Sequence, residues 1–236
     1  METLQIKKLF SNWKIDDEKI LKLEKYKFFL LQENAKFNLT AIINDQDIYY
    51  KHFYDSLLIT QNVNIENKKI MDIGTGAGFP GIIWKIFFDN IDLTLVESNT
   101  KKCLFLEQLC KLLNLQNVKI LNMRVEEISS KEYEQYDLVV SRALAKLSIF
   151  MEIASQFLKI NGLLISMKGI NWPKEIEELN NSEELVGLQF LKLFEYEYEF
   201  DNETHKRIDL IYKKIAKTKS IYPRKYSIIK NKPLGS

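Results

Sequence analysis

Half of the glycines in this chain lie in one short segment, directly after an apolar run. Residues 70–81 read Ile-Met-Asp-Ile-Gly-Thr-Gly-Ala-Gly-Phe-Pro-Gly and hold four of the eight glycines. Glycine loses more backbone freedom on folding than any other residue, so this density indicates a sharp turn or the close approach of another group. Apolar residues at helical spacing follow, from Phe79 to Phe87. A strand, a glycine turn and a helix in this order are typical of a nucleotide-type pocket.

The remainder of the chain alternates short apolar runs with helical patterns. The apolar runs lie at about 69–73, 93–97, 118–122, 137–140 and 163–167, and the helical patterns lie at 79–88, 101–114 and 147–160. This alternation predicts parallel strand–helix–strand units in a doubly wound sheet. Two later runs, 188–200 and 207–216, have no long helix between them and are predicted to pair antiparallel at the sheet edge. The predicted fold class is α/β, with a mostly parallel, Rossmann-like sheet of seven strands.

Pattern and charge divide the sequence into three regions. Residues 1–62 are predicted to form a helical extension, residues 63–216 the sheet domain, and residues 217–236 a basic C-terminal tail. Residues 206–236 carry ten Lys or Arg and one acid, whereas residues 1–205 carry a net charge of −7. This asymmetry favours a polyanion as the partner of the basic end, with a solubilising tail as the alternative.

Composition narrows the class of protein further. Hydrophobic residues make up 46% of the chain, which is enough for a globular core. No run of about 18 apolar residues could span a bilayer, and the N-terminus lacks the apolar core of a signal peptide. The two cysteines, Cys103 and Cys110, are predicted to lie about 10 Å apart along one helix, too far apart for a disulfide. We therefore expect a cytoplasmic protein that does not bind membranes.

Two kinds of ligand fit the glycine segment. Residues 76–81, Gly-Ala-Gly-Phe-Pro-Gly, satisfy the dinucleotide fingerprint, but Pro80 has no N–H to offer to a pyrophosphate. Residues 72–78, Asp-Ile-Gly-Thr-Gly-Ala-Gly, instead match the turn with which class I methyltransferases bind S-adenosylmethionine. Glu97 closes the next predicted strand, where an acid can accept hydrogen bonds from both ribose hydroxyls. The sequence therefore favours S-adenosylmethionine over a nicotinamide or flavin dinucleotide.

Charged residues follow the next three predicted strands. Residues 124–127, Arg-Val-Glu-Glu, lie after the third strand, Arg142 after the fourth and Lys168 after the fifth. The carboxyl ends of parallel strands meet at one sheet edge, so these residues are predicted to lie on the ligand side. Cations there could contact phosphate, carboxylate or guanine. The alternatives are acids that stabilise a helix N-terminus, and ion pairs of these cations with Asp72 or Glu126.

Eight short blocks match one known protein family in the same order. They are Asn38-Leu-Thr, His52-Phe-Tyr-Asp-Ser, the segment 72–81, Arg124-Val-Glu-Glu, Ser141-Arg-Ala, Lys168-Gly, Tyr222-Pro-Arg-Lys and Lys232-Pro-Leu. Because of these blocks, the chain resembles the glucose-inhibited division protein B family. The resemblance extends from about residue 20 to the end of the chain. Its members are bacterial methyltransferases that act on a guanine N7 in 16S rRNA. The resemblance implies a class I methyltransferase fold, S-adenosylmethionine as cofactor, the 16S rRNA or 30S ribosomal subunit as partner, and guanine 527 in the 530 loop as target.

The resemblance also implies roles for single residues. Together with the glycine turn, it predicts cofactor contacts at Asp72, Gly74, Gly76, Gly78, Phe79, Glu97, Val125, Glu126 and Arg142. The polar residues predicted to take part in catalysis are Asn38, His52, Arg124, Arg142 and Lys168. Contacts with RNA are predicted for Lys168, Arg207, Arg224 and Lys225, with the basic tail on or near the RNA-binding face. No metal is expected, and the protein is expected to be a monomer.

The extension contributes three of the matching polar residues. Asn38, His52 and Asp55 could hold the extension across the mouth of the pocket or contact the RNA. A helix-capping asparagine and a buried, hydrogen-bonded histidine are the alternatives. His52 and Asp55 are three residues apart in a predicted helix, so they are expected to lie close together.

The chemistry of guanine N7 agrees with the residues present. N7 carries a free lone pair, so its methylation needs no general base or covalent nucleophile, and positioning dominates. The sequence lacks the Asn/Asp-Pro-Pro-aromatic tetrad of exocyclic-amine methyltransferases, and neither cysteine follows a proline. Ribose, other ring nitrogens and small molecules remain possible methyl acceptors. A further alternative is that the protein binds RNA without catalysing a reaction. We predict that Arg142 and Lys168 orient the guanine or its phosphate.

Overall fold

One seven-stranded sheet organises the chain, and the computed structural model describes residues 1–142, 144–169 and 172–236. The strands are β1 Lys69–Ile73, β2 Asp92–Glu97, β3 Val118–Asn122, β4 Tyr136–Arg142, β5 Leu158–Lys168, β6 Leu188–Phe200 and β7 Glu203–Lys214. Their order across the sheet is β3-β2-β1-β4-β5-β7-β6. Strands β1 to β5 are parallel, and β7 runs antiparallel to both of its neighbours. The predicted α/β class, with seven strands and an antiparallel edge, is confirmed.

The strand order creates a crevice at one edge of the sheet. The chain leaves β1 towards β2 on one side and returns to β4 on the other, so β1 and β4 are neighbours. Connections that diverge from adjacent parallel strands leave a gap beyond the carboxyl ends of those strands. The glycine segment follows β1 and Arg142 ends β4, and both therefore lie at this gap.

Helices cover both faces of the sheet. They are α1 Thr3–Leu9, α2 Asp17–Phe37, α3 Asp45–Asp47, α4 Asp55–Leu57, α5 Gly81–Phe87, α6 Thr100–Leu112, α7 Leu147–Ala154, α8 Trp172–Leu179 and α9 Tyr226–Asn231. Buried apolar residues of α1, α2, α5 and α6 form one core with the extension, and those of α7, α8 and α9 form a second core on the opposite face. Asp16 caps the N-terminus of α2, where its side chain accepts from the Lys19 N–H at 2.8 Å, and Asn38 caps the C-terminus in the left-handed conformation. In the described ranges, no helix is both long and apolar enough to cross a membrane.

A π-helix, Ile48–Tyr54, joins α3 to α4. It closes with a hydrogen bond from the Asp55 N–H to the Tyr50 carbonyl, five residues back. Single π-turns inside helices are rare and occur mostly at functional sites. Here the wider turn brings His52 and Phe53 into the buried interface between the extension and the sheet.

The two largest differences from the predicted boundaries lie at the end of α7 and at the start of β5. The helical pattern 147–160 ends as a helix at Ala154, and β5 begins at Leu158. Phe157 and Leu158 are fully buried in the same core as α7, so their spacing continues the apolar pattern of the helix although the backbone has already turned into the sheet.

The C-terminal tail packs on the body of the protein. Arg224 donates to the Glu152 carboxylate of α7 from its backbone N–H at 2.9 Å, its Nε at 2.8 Å and its Nη2 at 2.6 Å. Glu152 is 0% exposed. Ile229 and Leu234 are buried in the core beside α7. This anchoring places α9 next to the carboxyl edge of the sheet.

Candidate functional site

The glycine segment forms a tight loop that packs against α2. Gly74, Gly76 and Gly78 all have positive φ angles, of 69°, 61° and 104°. At Gly78 a Cβ atom would lie 2.8 Å from the Tyr26 hydroxyl and 2.7 Å from Ile82 Cγ1, so no larger residue fits without rearrangement. Tyr26 donates a hydrogen bond to the Ala77 carbonyl at 2.5 Å. The helical extension therefore helps to set the shape of this loop.

Asp72 supports the loop from beneath. Its Oδ2 accepts from the Thr75 hydroxyl at 2.7 Å and from the Gly81 N–H at 2.9 Å, and its side chain is 0% exposed. Burial raises the pKa of the Asp72 carboxyl to about 7, against the two hydrogen bonds that favour its charged form. Among the described residues, its Oδ1 has no hydrogen-bond partner. Asp72 is thus a buried acid with one free acceptor atom.

Glu97 links the glycine loop to the end of β2. Its Oε2 accepts from the Gly76 N–H at 3.1 Å, and its Oε1 accepts from the Asn99 N–H at 2.8 Å. A carboxylate has about four lone-pair sites, so these two bonds leave acceptor capacity for a ligand. The side chain is held in place before any ligand arrives.

A cleft of about 280 Å³ opens beside Gly76 and Glu97. The sequence-predicted residues that line it are Gly74, Gly76, Glu97, Arg124, Val125 and Glu126. Its apolar wall contains four residues that the sequence patterns did not indicate as part of the site, namely Met123, Ile149, Ile153 and Tyr226. Tyr226 begins α9, so the anchored tail forms part of this cleft. Only the tertiary fold brings these elements together, because no local pattern links α7 or the tail to the glycine loop.

Four residues predicted to contact the cofactor do not line this cleft, and their contacts with the cofactor stay predictions. Asp72 and Gly78 lie within the loop structure, where they support its backbone. Phe79 packs against the extension, with its ring centre 5.4 Å from that of Tyr26 and 4.4 Å from that of His52. Arg142 lines a neighbouring cavity.

The neighbouring cavity, of about 300 Å³, contains a cluster of charged residues. They are Lys51, Asp55, Arg142, Lys168, Arg207 and Asp209, together with His52, Met167 and Gly169. We call it the charged pocket. The Arg142 guanidinium lies 4.9 Å above the Phe79 ring, and Phe79 belongs to the glycine loop. The charged pocket and the cleft are therefore adjacent at the gap between β1 and β4.

Arg142 ties the extension to the end of β4. It donates to Asp55 Oδ2 at 3.1 Å and to the Lys51 carbonyl at 3.3 Å, and it lies 2.9 Å from His52 Nδ1. Three groups within one helical turn thus converge on a single guanidinium. Arg142 therefore joins the extension to the sheet, and its guanidinium is held between two structural elements.

His52 is buried and hydrogen-bonded on both ring nitrogens. Nε2 lies 2.8 Å from the Thr40 hydroxyl and Nδ1 faces Arg142. Burial, and after it the Arg142 charge, lowers the pKa of His52 to about 3. A neutral imidazole with both nitrogens engaged is a positioning group, because it has neither a free lone pair nor a labile proton at neutral pH.

Lys168 and Arg207, two further cations of the charged pocket, are also paired with acids. Lys168 donates to the Ala145 carbonyl at 2.7 Å and to Glu175 Oε2 at 2.8 Å. Arg207 Nε lies 2.5 Å from Asp55 Oδ1. Neither Lys168 nor Arg142 pairs with Asp72 or Glu126, because those acids lie on the other side of the glycine loop or in the cleft.

Three predicted site residues lie away from both cavities. Asn38 is the exposed, left-handed end of α2, where asparagine is tolerated. Lys225 is exposed at the start of α9. Arg224 is held by Glu152, so its guanidinium serves the internal anchoring of the tail.

The strand order, the glycine loop and the acid at the end of β2 define a class I methyltransferase fold. TYW2 of M. jannaschii, solved in complex with AdoMet, shares this fold, with a TM-score of 0.57 and 18% identity over 74% of this chain and 80% of that one. A family described as "rRNA small subunit methyltransferase G", GidB, matches residues 19–202. The chain belongs to this family.

Two relatives cover nearly the full length of the chain. The ribosomal RNA small subunit methyltransferase G of Mycoplasma capricolum is 46% identical over 94% of this chain and 98% of its own length. The protein of the same name from Mesoplasma florum is 44% identical over 94% of this chain and 96% of its own length. The family resemblance found from eight short blocks is thereby confirmed.

Proposed function

We propose that this protein transfers a methyl group from S-adenosylmethionine to N7 of a guanine in 16S rRNA, with guanine 527 of the 530 loop as the position. The observation that carries the proposal is the adjacency of two cavities with complementary chemistry. One has a glycine loop, a preset carboxylate and an apolar wall, and the other has cations held by acids. Arg142 of the charged pocket lies 4.9 Å from the ring of Phe79, which belongs to the loop whose Gly74 and Gly76 line the cleft.

The cleft has the groups that S-adenosylmethionine requires. Glu97 would accept from the ribose hydroxyls with its remaining lone pairs, and Val125, Ile149 and Ile153 offer an apolar slot for the adenine. Tyr226 would close that slot from the tail. When bound, S-adenosylmethionine supplies an electrophilic methyl group on a sulfonium. These residues bind and orient it.

The residues of the charged pocket fit an acceptor that needs no base. Guanine N7 is unprotonated at neutral pH, and His52 has no free nitrogen with which to take a proton. Lys168 and the two arginines of the pocket are donors, which suits the O6 acceptor of guanine or a phosphate oxygen. Their role is to hold the base at a fixed distance and angle, which accounts for a large share of rate enhancement in a reaction of this kind.

Acids in the pocket offset the repulsion between these cations and a methylated base. Methylation at N7 leaves a positive charge on the guanine, and an unpaired arginine would disfavour it. Arg142 and Arg207 share the single Asp55 carboxylate, and Lys168 pairs with Glu175, so these acids offset most of the cationic charge in the pocket. The repulsion of a methylated base by the cations is therefore reduced.

The basic tail and the rim of the cleft are proposed to contact the RNA backbone. Arg124 is exposed at the cleft, Lys225 is exposed one residue before Tyr226, and Arg207 is half-buried in the charged pocket. Asn38 would contact RNA beyond the end of α2. We propose that the protein acts as a monomer in the cytoplasm on the 30S subunit.

Methyl transfer to unmethylated small subunits tests the proposal. We expect 30S subunits from a strain that lacks this modification to take up one labelled methyl group each from S-adenosylmethionine. Borohydride–aniline cleavage and primer extension should then stop at one guanine. Subunits from the methylated parent strain are the control and should take up none. Label on another base, on ribose or on protein would contradict the proposal.

Removing the Glu97 carboxylate should weaken cofactor binding. We expect Glu97→Ala to raise the dissociation constant of S-adenosylmethionine on the order of tenfold to a hundredfold, since hydrogen bonds to a charged group contribute about 1.5–3 kcal/mol each. Isothermal titration calorimetry measures it. Glu107→Ala, an exposed acid on α6, is the matched control. An unchanged dissociation constant for Glu97→Ala would remove this carboxylate from the binding site.

A further inference from the structure

One acid of the charged pocket has no task in the chemistry described so far. Asp209 lies in the middle of β7, is 2% exposed and lines the charged pocket. Its neighbours across the sheet are Met167 on β5 and Phe194 on β6, both apolar. Among the described residues, none donates a hydrogen bond to its carboxyl or forms an ion pair with it. A buried carboxyl with no partner among the described residues calls for an explanation, because burial of an unpaired polar group is costly.

The carboxyl is also surrounded by a mixed set of charges. Asp55 faces it from α4, Arg207 lies two residues before it on the same face of β7, and Tyr196 faces it from β6. Burial, followed by the charge of Asp55, raises the pKa of the Asp209 carboxyl well above its ordinary value, and Arg207 opposes this rise. Within the described part of the chain, this acid therefore has no hydrogen-bond donor that stabilises its charge.

Guanine carries the donors that such an acid lacks. Its O6 and N7 are acceptors, whereas its N1–H and its 2-amino group are donors on the Watson–Crick edge. Bases in single-stranded RNA loops are read on that edge once they are splayed out of the stack. The charged pocket offers cationic donors at Arg142 and Lys168, and it offers an acceptor at Asp209.

Resting on the proposed function, we propose that Asp209 determines specificity for guanine by accepting hydrogen bonds from the N1–H and the 2-amino group of the target base. Adenine presents an acceptor at N1 and no 2-amino group, so it would leave Asp209 buried and unpaired. A site with buried polar groups rejects an analogue that cannot pair with them more strongly than an apolar site does. Arg142 and Lys168 then read the acceptor side, and Asp209 reads the donor side.

Inosine tests this assignment, because it keeps N7, O6 and N1–H and lacks only the 2-amino group. The substrates are 30S particles whose 16S rRNA, assembled by splinted ligation, carries guanine or inosine at the methylated position. For the wild-type protein we expect kcat/KM for guanine to exceed that for inosine by on the order of tenfold or more. In Asp209→Leu the guanine value should fall towards the inosine value, so that the two differ by about twofold or less.

Controls separate this role from a structural one. Leucine suits a buried strand position, so Asp209→Leu should keep its melting temperature and its affinity for S-adenosylmethionine. If it does not fold, Asp209→Asn keeps the shape and one acceptor oxygen, and it should lose part of the preference for guanine. Asp137→Asn, at the opposite end of β4, should keep the full preference. A guanine preference unchanged in Asp209→Leu would overturn the role of Asp209 alone, whereas no methyl transfer by the wild-type protein would overturn the proposed function and this inference with it.

Discussion

Replacement of Arg142 with methionine is expected to lower turnover on 30S subunits by about two to three orders of magnitude. Arg142 is the donor that joins β4 to Lys51, His52 and Asp55, so its loss would remove its proposed contact with the substrate and also loosen the packing of the extension. Lysine at this position should restore little, because it cannot reach three groups with one planar fork. Single-turnover kinetics with labelled S-adenosylmethionine measures the effect.

The same variant should change the titration of His52. The Arg142 charge disfavours the imidazolium, so its removal should raise the pKa of His52 from about 3, while burial keeps it below the ordinary value of 6.5. The chain has only two histidines, which makes NMR titration direct. Lys119→Met, at an exposed ion pair on β3, is the control for charge removal. Normal turnover in Arg142→Met would exclude Arg142 from the active site. An unchanged pKa of His52 would exclude the contact between Arg142 and His52.

Replacement of Arg224 with methionine is expected to destabilise the fold by roughly 3 kcal/mol. The substitution leaves the Glu152 carboxylate buried, at 0% exposure, without its charged partner, and breaking a buried ion pair costs about 3–5 kcal/mol. We expect the low end of this range because the Arg224 side chain is 26% exposed. Urea unfolding followed by circular dichroism measures the loss. Because α9 lines the cleft, the affinity for S-adenosylmethionine should fall as well.

A double variant distinguishes an unpaired charge from lost packing. Glu152→Met combined with Arg224→Met should recover most of the stability, because two apolar side chains replace the pair without leaving a buried charge. Lys206→Met, which removes one partner of an exposed pair with Glu197, should leave stability nearly unchanged. If Arg224→Met unfolds at the wild-type urea concentration, the tail is not anchored by this pair.

The sequence predicted the sheet because its signals are local. Apolar runs, glycine turns and helical spacing report on neighbours within about ten residues, and the strands β1, β2 and β3 match their predicted ranges within one residue. The parallel order also follows from the alternation of strand and helix. The helix 147–160 was the exception, because one continuous apolar pattern served both α7 and the start of β5.

In the candidate site, too, the residues that local patterns identify differ from those that only the tertiary fold brings together. The glycine loop and Glu97 are close in sequence to the strands that carry them, so motif spacing located them. Tyr226 in the cleft and Asp209 in the charged pocket come from segments that no motif connects to the glycine loop. The packing of the Phe79 ring against Tyr26 and His52 of the extension could not be predicted from the sequence either, because these residues lie in distant segments of the chain.

By itself, the sequence determined the α/β class, the glycine turn after β1, the family and the residues at the strand ends. Those features depend on spacing along the chain, which a sequence displays directly. The tertiary structure alone decided which charges meet, namely Arg142 and Arg207 on Asp55, Lys168 on Glu175, and Arg224 on Glu152. Charged groups choose partners by distance in space and by burial, and both are set only when the extension and the tail pack on the sheet.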